Sequence, residues 1–255
     1  MHDPNNDQTN RDAVLEVVRK MKPFDSGIPL VRYGGDFDGG YLLPNDFDGI
    51  SACFSPGVSK IADFENDMAR VYGMPCYMCD YSVDALPINH DLFDFEKVFL
   101  GKETIDEFMT LEDWIDQKFP EWDGQDFILQ MDIEGAEYDV LPNISRRLMS
   151  SFRIIVLEIH YLRRELQPKN IAAFSNFIDV LTRDHQIVHL HPNNHGGDQS
   201  LATVFGIQVP RILELTLLRK DRTKQHQPIR NFPHRLDQKN VATKPDVVLP
   251  TEFYS

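Results

Sequence analysis

Residues 128–141 read Ile-Leu-Gln-Met-Asp-Ile-Glu-Gly-Ala-Glu-Tyr-Asp-Val-Leu, and this stretch decides the fold. It predicts a buried strand that ends in the acids Asp132 and Glu134, a turn at Gly135, and a following helix. Glycine suits the turn because it has no Cβ to clash with the reversing backbone. Ligands of open α/β sheets bind beyond the carboxyl ends of parallel strands, so we expect both acids to face a ligand.

A second apolar run repeats this arrangement further along the chain. Residues 154–160, Ile-Ile-Val-Leu-Glu-Ile-His, end in the polar residues Glu158 and His160. Two strands that deliver acids and a histidine to the same edge of a sheet predict a catalytic crevice. We therefore take Asp132, Glu158 and His160 as the catalytic candidates.

Strand-like and helix-like segments alternate along the chain, which predicts a Rossmann-like α/β fold with a mostly parallel sheet and helices on both faces. Besides the two strands above, we expect strands over residues 51–55, 76–80, 98–100 and 187–190. The two last runs, 202–209 and 212–218, predict an antiparallel strand at one edge of the sheet.

A helix is expected after the first of these strands. Ile61, Phe64, Met68 and Val71 have the spacing of its inner face, and Gly73 stands in the usual position for its end. The outer face then carries most of the acids of this helix, which are Asp63, Glu65 and Asp67.

The length of 255 residues suits one domain with flanking segments. We assign residues 1–50 to an N-terminal helix and glycine-rich cap segment, 51–220 to the Rossmann-like domain, and 221–255 to a polar C-terminal tail. The net charge of −14 argues against a nucleic-acid partner, which would need clustered Lys and Arg. No apolar run approaches the roughly 20 residues that span a bilayer, and no signal peptide is visible. We therefore expect a cytoplasmic protein without a membrane span.

The turn after the first strand is a candidate nucleoside site. Gly57 permits a ligand to approach the backbone closely, and the helix that follows directs its amide groups toward the turn. Asp80, at the end of the next strand, is placed to accept hydrogen bonds from a ribose diol. The glycine patterns of dinucleotide loops and phosphate loops are absent, which favours a nucleoside without phosphates.

Several motifs, in their order and spacing, resemble those of the FkbM-type S-adenosylmethionine-dependent methyltransferases. The motifs are Asp38-Gly39-Gly40-Tyr41, Phe54-Ser55-Pro56-Gly57-Val58 with Asp63-Phe64-Glu65, Thr110-Leu111-Glu112-Asp113-Trp114, Met131-Asp132-Ile133-Glu134-Gly135-Ala136-Glu137, Leu157-Glu158-Ile159-His160 and His191-Pro192-Asn193-Asn194. The resemblance covers roughly residues 30–218. Its most specific part is the Asp-Ile-Glu-Gly-Ala-Glu block, and the upstream Asp-Gly-Gly-Tyr element resembles one subgroup.

The resemblance implies a class I methyltransferase fold, with a seven-stranded sheet whose last strand is reversed, and S-adenosylmethionine as the cofactor. Ser55 and Gly57 would then face its methionine end, Asp80 its ribose, and Tyr81 and Ser82 its adenine. The chain departs from the usual pattern because its first turn has one glycine and its first strand has no acid. The side chains that can compensate near the methionine end are Asp38, Tyr41 and Glu65.

Methyl transfer to oxygen needs an aligned hydroxyl nucleophile, and it benefits from a base or a metal that promotes loss of the hydroxyl proton. His160 can be this base, oriented by Glu158 or Asp132. Alternatively, Asp132, Glu158 and His160 can bind a divalent metal ion. The residues expected to contact the acceptor are Glu134, His191, Asn193 and Asn194. The structural alternative is that the acids bind loop amides and the asparagines form turns.

The sequence thus predicts an S-adenosylmethionine-dependent methyltransferase that acts on a hydroxyl group of a small molecule or glycan. The acidic crevice favours a neutral, polyhydroxylated or cationic acceptor. One alternative is a metal-dependent glycosyltransferase that uses Asp36-Phe37-Asp38, although Asp46-Phe47-Asp48 repeats the same triplet. Another is a catalytically silent Rossmann-like binding protein, which the single-glycine turn would permit.

Overall fold

The computed structural model describes residues 4–255, with side chains from Asp7 onward, and residues 1–3 of the predicted N-terminal segment lie outside the described residues. The helices of this part are α1 (Pro4–Lys20), α2 (Asp63–Tyr72), α3 (Leu111–Lys118), α4 (Glu137–Val140), α5 (Arg146–Ser151), α6 (Leu162–Glu165) and α7 (Ile171–Asp184). Short 3-10 turns cover Leu141–Asn143, Gly197–Gln199, Lys220–Arg222 and Thr251–Phe253.

The strands within residues 4–255 form a central sheet and four two-stranded ladders. They are β1 (Phe24–Asp25), β2 (Leu30–Tyr33), β3 (Tyr41–Pro44), β4 (Ile50–Pro56), β5 (Cys76–Cys79), β6 (Phe93–Glu96), β7 (Phe99–Leu100), β8 (Phe108–Met109), β9 (Asp126–Met131), β10 (Phe152–Ile159), β11 (His185–Pro192), β12 (Leu201–Val204), β13 (Ile207–Pro210), β14 (Leu213–Arg219) and β15 (Gln227–Pro228).

The central sheet has seven strands in the order β11-β14-β10-β9-β4-β5-β6. β14 runs antiparallel to both of its neighbours, and the other pairs are parallel. The Rossmann-like α/β prediction is confirmed, but the reversed strand lies second from the edge and not at the edge. Its residues from Leu213 to Leu218 are all buried, which suits an interior strand that is covered on both faces.

The third strand of the sheet was expected over residues 98–100, and this expectation is wrong. β6 supplies that strand, since Phe93 pairs with Cys76 in a parallel ladder with β5. Phe93–Glu96 alternates apolar and acidic residues, as an edge strand with one wetter face does. The later run instead pairs β7 with β8 in a separate ladder beside the sheet.

The run over residues 202–209 was also read wrongly as one strand. It forms a hairpin of β12 and β13 in which Phe205 and Gly206 make the turn, with φ of +45° and +77°. Two consecutive residues with positive φ suit the turn of a two-residue hairpin. β14 therefore enters the sheet alone, and the hairpin lies outside it.

Helix α2 begins at Asp63, and Gly73 ends it in the left-handed conformation as predicted. Its buried face includes Phe64, Glu65 and Met68, whereas Val71 is 61% exposed. Ile61, which lies before the helix, is also exposed. The expected outward position of Glu65 is thus wrong, because the buried face is rotated toward this residue.

The flanking segments pack on the same core as the sheet. α1 contributes Val14, Val17 and Val18, Met21 follows it, and the C-terminal tail contributes Leu249 and Phe253. No helix in the described part of the chain is long and apolar enough to cross a membrane. The division at residues 50 and 220 stays a prediction.

Candidate functional site

The three catalytic candidates lie together at the carboxyl ends of β9 and β10. Asp132 follows β9, Glu158 is the penultimate residue of β10, and His160 follows β10. One ligand atom of each side chain lies within 4.8 Å of those of the other two. His160 Nε2 is 3.6 Å from Asp132 Oδ1 and 3.6 Å from Glu158 Oε1. We call these residues the acid–histidine cluster.

Glu137, the first residue of α4, orients His160. Its Oε1 accepts a hydrogen bond from the His160 backbone amide at 3.0 Å and lies 3.3 Å from His160 Nδ1. Its Oε2 accepts a hydrogen bond from the Gly135 amide at 2.8 Å, and the residue is completely buried. The imidazole therefore directs Nε2 toward Asp132 and Glu158. Asp132 and Glu158, which the sequence suggested as orienting groups, lie 3.6 Å from Nε2 and make no hydrogen bond with it, so Glu137 makes the hydrogen-bonding contact with the ring.

The sequence analysis missed Glu137 because this residue was assigned only to the start of a helix. The available signal was its place as the last acid of the Asp-Ile-Glu-Gly-Ala-Glu block. A buried carboxylate on the far nitrogen of an imidazole selects the tautomer and the ring orientation.

Two oxygens of the acid–histidine cluster are buried without a hydrogen-bond partner. They are Asp132 Oδ1 and Glu158 Oε2. The other oxygen of Glu158, Oε1, accepts a hydrogen bond from Asn193 Nδ2 at 3.1 Å. Buried carboxylate oxygens are normally paired, so these two retain the capacity to bind a ligand.

The side chains of the acid–histidine cluster have raised pKa values. Burial raises the pKa of Asp132 to about 7, and burial together with the charge of Asp132 raises the pKa of Glu158 well above its usual range. Burial acts to lower the pKa of His160, but the hydrogen bond with Glu137 and the charges of Asp132 and Glu137 raise it overall. Proton exchange within this cluster is therefore accessible near neutral pH.

Gly57 brings the tip of β4 against the tip of β9. Its φ is +88°, and a Cβ at this position would lie 1.7 Å from the Asp132 carbonyl oxygen. The Gly57 amide donates to the Cys79 carbonyl at 2.8 Å, so the turn also contacts the end of β5. Only glycine fits here, because both the conformation and the space exclude a side chain.

A cavity of about 150 Å³ adjoins this turn and is lined by four of the predicted cofactor residues, which are Asp38, Tyr41, Gly57 and Glu65. Gln130 and Asp132 also line it. Ser55 lies beneath it, where its hydroxyl contacts Glu65 Oε1 and Gln130 Oε1. Burial raises the pKa of Glu65 to about 7. A protonated Glu65 can donate to Ser55, which then donates to Gln130.

A second cavity, of about 350 Å³, lies on the other side of Gly57. Asp80 lines it, and each of its carboxylate oxygens accepts a backbone amide hydrogen bond at 2.8 Å, one from Ser59 and one from Ser82. Ser82 also lines the cavity. Tyr81 does not line it, but its ring packs 5.2 Å from that of Phe99, which does.

Sequence reasoning missed the aromatic wall of this second cavity. Phe99 and Phe108 line it, remain more than a third exposed, and lie with their ring centres 5.6 Å apart. Their signal in the sequence was weak because both belong to two-residue strands. Exposed aromatic faces beside a polar carboxylate suit a heterocyclic ligand.

A third cavity, of about 630 Å³, opens beside the acid–histidine cluster. Of the four predicted acceptor residues, Glu134 and Asn193 line it. The Glu134 side chain is 78% exposed, and its Oε2 lies 3.5 Å from His160 Nε2. This cavity is therefore continuous with the reactive groups.

The other two predicted acceptor residues, His191 and Asn194, are not brought into this cavity. Asn194 Nδ2 donates to the carbonyls of Val241 and Pro245 in the C-terminal tail, each at 3.0 Å. His191 Nδ1 lies 3.8 Å from Asp237 Oδ2. The charge of Glu214 and the contact with Asp237 outweigh burial and raise the pKa of His191 to about 9. Both residues thus hold the tail against the sheet.

The Asp36-Phe37-Asp38 triplet lies outside the acid–histidine cluster. Among residues 4–255, the acids and histidines with ligand atoms close enough to share an ion are the acid–histidine cluster, which contains neither Asp36 nor Asp38. Asp38 Oδ1 instead accepts a hydrogen bond from Asn240 Nδ2 at 3.2 Å. The glycosyltransferase alternative is not favoured.

Residues 89–188 match a family model described as the methyltransferase FkbM domain. The matched range holds β9, β10 and the whole acid–histidine cluster, and it begins after Gly57 and Asp80. The resemblance noted in the sequence is confirmed over this range. No curated protein is similar enough to match the chain.

Proposed function

We propose that this chain, whose residues 89–188 match the methyltransferase FkbM domain, transfers a methyl group from S-adenosylmethionine to a hydroxyl of a small molecule or glycan. One observation carries the proposal: Glu134 lines all three cavities described above. A donor on the Gly57 side and an acceptor on the His160 side would therefore meet at the acid–histidine cluster.

The donor side fits S-adenosylmethionine in shape and charge. The two smaller cavities share Gly57, Ser59, Asp132 and Glu134, so they adjoin along the tips of β4 and β9. Acids in the smaller one, Asp38 among them, attract the ammonium and sulfonium charges of the donor.

The nucleoside half fits the larger of these two cavities. Asp80 supplies carboxylate oxygens, each with a lone pair beyond its backbone hydrogen bond, for the ribose diol. Phe99 and Phe108 offer ring faces for the adenine. Compensation for the single-glycine turn by Asp38, Tyr41 and Glu65 is supported by their place in the neighbouring cavity.

In the reaction, the acceptor oxygen forms a bond to the methyl carbon while the carbon–sulfur bond breaks, which releases S-adenosylhomocysteine and the hydroxyl proton. The acid–histidine cluster takes up this proton. His160 Nε2 is oriented for the purpose by Glu137, and Asp132 has a pKa of about 7. Alignment of the acceptor supplies a further part of the acceleration.

The same cluster fits a hard divalent cation, because Asp132 Oδ1 and Glu158 Oε2 are unpartnered oxygens beside an imidazole. A bound cation would be held by Asp132, Glu158 and His160 and would acidify the acceptor hydroxyl. EDTA treatment followed by Mg²⁺ or Mn²⁺ addition tests this role. Turnover that is unchanged by EDTA would leave proton uptake to the side chains alone.

A calorimetric titration with S-adenosylhomocysteine tests the proposed function. We expect the wild type to bind, Asp80→Ala to bind at least about tenfold more weakly, and Asp91→Ala to bind normally, since loss of one charge-assisted contact costs about that much. Asp91 is an exposed acid outside the cavities described above, so it is the matched control. Absence of binding to folded wild type would favour the silent binding protein or the glycosyltransferase, and a sugar-nucleotide titration would then separate these two.

A further inference from the structure

The cavity of about 630 Å³ beside the acid–histidine cluster also has a basic wall. Arg163, Arg164 and Arg211 line it together with Glu134 and His160. All three arginines are exposed, so their guanidinium groups are open to solvent and to a ligand. The acidic side chains expected from the sequence are therefore only one part of the lining of the space where the acceptor would bind.

The three arginines differ in what they already bind. Arg164 Nε donates to Glu165 Oε1 at 2.5 Å, and its guanidinium lies 4.8 Å from the centre of the Tyr161 ring. In the described part of the chain, Arg163 and Arg211 make no side-chain hydrogen bond or ion pair. By contrast, Arg153 and Arg219 are both paired with Asp126. Two cations of this wall are thus available for an anion.

The backbone holds this wall at a set distance from the reactive groups. Arg211 lies between β13 and β14, and its amide donates to the Ser200 carbonyl at 2.8 Å. Its own carbonyl accepts a hydrogen bond from the Leu162 amide at 3.3 Å, two residues after His160. Arg163 follows in α6. Both arginines are therefore attached to the segment that carries His160.

Ser200 adds an independent polar group to the same cavity. It is 1% exposed and lines the cavity, and its Oγ has no hydrogen-bond partner. A buried hydroxyl without a hydrogen-bond partner destabilises the folded protein unless a ligand or water bonds to it. A hydroxyl beside two unpaired guanidinium groups is a suitable donor to an oxyanion.

We propose that the acceptor carries an anionic group, a phosphate or a carboxylate, which Arg163 and Arg211 bind with Ser200 while its reactive hydroxyl lies against the acid–histidine cluster. This inference rests on the proposed function and narrows its acceptor class. Guanidinium groups match the geometry of both oxyanions, and the carboxylates of the acid–histidine cluster repel them. The charges of the arginines and the acids would thus orient the acceptor. This proposal replaces the neutral or cationic acceptor expected from the sequence with an anionic one.

The test compares four probes titrated calorimetrically into the protein saturated with S-adenosylhomocysteine: inorganic phosphate, glucose 6-phosphate, glucuronate and glucose. We expect at least one anionic probe to bind about tenfold or more tightly than glucose. The phosphate and carboxylate arms show which oxyanion the site takes. Raised salt weakens this binding, because the arginines are exposed.

Variants connect the binding to the basic wall. In Arg163→Ala/Arg211→Ala we expect the anion preference to fall at least about tenfold, and in Arg163→Lys/Arg211→Lys we expect part of it to return, since the charge remains. Arg70→Ala is the control, because Arg70 is an exposed arginine on α2, outside this cavity. Wild type that shows no anion preference, or a preference that the double alanine variant keeps, would overturn the inference.

The two proposals fail in distinguishable ways. S-adenosylhomocysteine binding is measured separately for every variant, and we expect the arginine substitutions to leave it unchanged because these residues line neither of the smaller cavities. Loss of nucleoside binding in the wild type would reject the proposed function. Normal nucleoside binding without anion selectivity would reject the acceptor class alone.

Discussion

Asp80 and Asp132 occupy equivalent places at the ends of parallel strands, yet their surroundings differ. Both oxygens of Asp80 accept backbone amide hydrogen bonds, whereas Oδ1 of Asp132 is buried without a partner. A satisfied carboxylate stabilises the loops around it, and an unsatisfied one is costly until a ligand arrives. We call the region around Gly57 and Asp80 the donor side and the region around Asp132 and His160 the chemical side. The carboxylate of the donor side holds the local backbone in place, whereas that of the chemical side keeps an oxygen free to bind a ligand or a proton.

Gly57→Ala is expected to have the largest effect, because the added side chain would push the tip of β4 away from the tip of β9. Both Asp80 and Asp132 lie beside this contact. The added Cβ would lie 1.7 Å from the Asp132 carbonyl oxygen at a φ of +88°. We expect S-adenosylhomocysteine binding to be lost and the free energy of unfolding to fall by roughly 3 kcal/mol or more. Urea unfolding and calorimetry measure the two effects.

The control for this variant is Gly124→Ala. Gly124 also has a positive φ, of +77°, but a Cβ added there would have no atom within 4 Å. We expect a cost of about 1 kcal/mol, from backbone strain alone. Equal costs at Gly57 and Gly124 would show that the close approach of the strand tips is unimportant.

Glu158→Gln and Asp80→Asn sharpen the comparison, because each replaces a carboxyl group with a neutral amide on one side. For Glu158→Gln we expect turnover to fall about 100-fold or more with an unchanged or higher free energy of unfolding, since burial and the charge of Asp132 already disfavour a charge on Glu158 and raise its pKa. For Asp80→Asn we expect a loss of about 1 kcal/mol, because one amide hydrogen bond loses its acceptor. The reverse order of stabilities would contradict the distinction between the two sides.

Glu137→Gln tests whether Glu137 orients the His160 ring. Removing its charge lowers the pKa of His160, and the Nδ1 contact loses its strength, so we expect turnover to fall about 10- to 100-fold. NMR titration of the His160 ring reports the pKa directly. Asp139→Asn, an exposed acid on the same short helix, is expected to change neither quantity. An unmoved His160 titration in Glu137→Gln would remove the orienting role.

Glu65→Gln is expected to change stability only at higher pH, and it concerns the donor side. Burial raises the pKa of Glu65 from 4.5 to about 7. The stability that its neutral form contributes is therefore complete below pH 4.5 and is lost as the pH rises through 7. At pH 8 we expect the variant to be more stable than the wild type by roughly 1–2 kcal/mol, and near pH 4.5 we expect no such gain. Thermal unfolding at both values measures this, and a gain independent of pH would contradict it.

The sequence predicts most of the sheet and the acid–histidine cluster, because long apolar runs that end in polar residues mark strand ends directly. It fails at β6 and at the β12–β13 hairpin, where the strands have four residues and local pairing decides their place. Ser55, Glu65 and Glu137 illustrate a second difficulty. A buried polar side chain is identified by its partners, and these come from distant parts of the chain.

The basic wall was beyond sequence reasoning for a related reason. Arg163 and Arg211 lie 48 positions apart, and their shared cavity exists only because the segment before β14 binds the start of α6. Neither arginine has a local pattern that distinguishes it from a solvated surface residue. Arg163 lies three residues after His160 in the sequence, but the placement of Arg211 beside His160 depends on the three-dimensional structure alone.

A crystal structure of the protein with S-adenosylhomocysteine tests the central claim most directly. The account predicts ribose oxygens within about 3.2 Å of the Asp80 carboxylate, adenine against Phe99, and the sulfur atom facing Asp132 and His160. A nucleoside bound away from Gly57 and Asp80, or a sulfur atom turned away from the acid–histidine cluster, would contradict it.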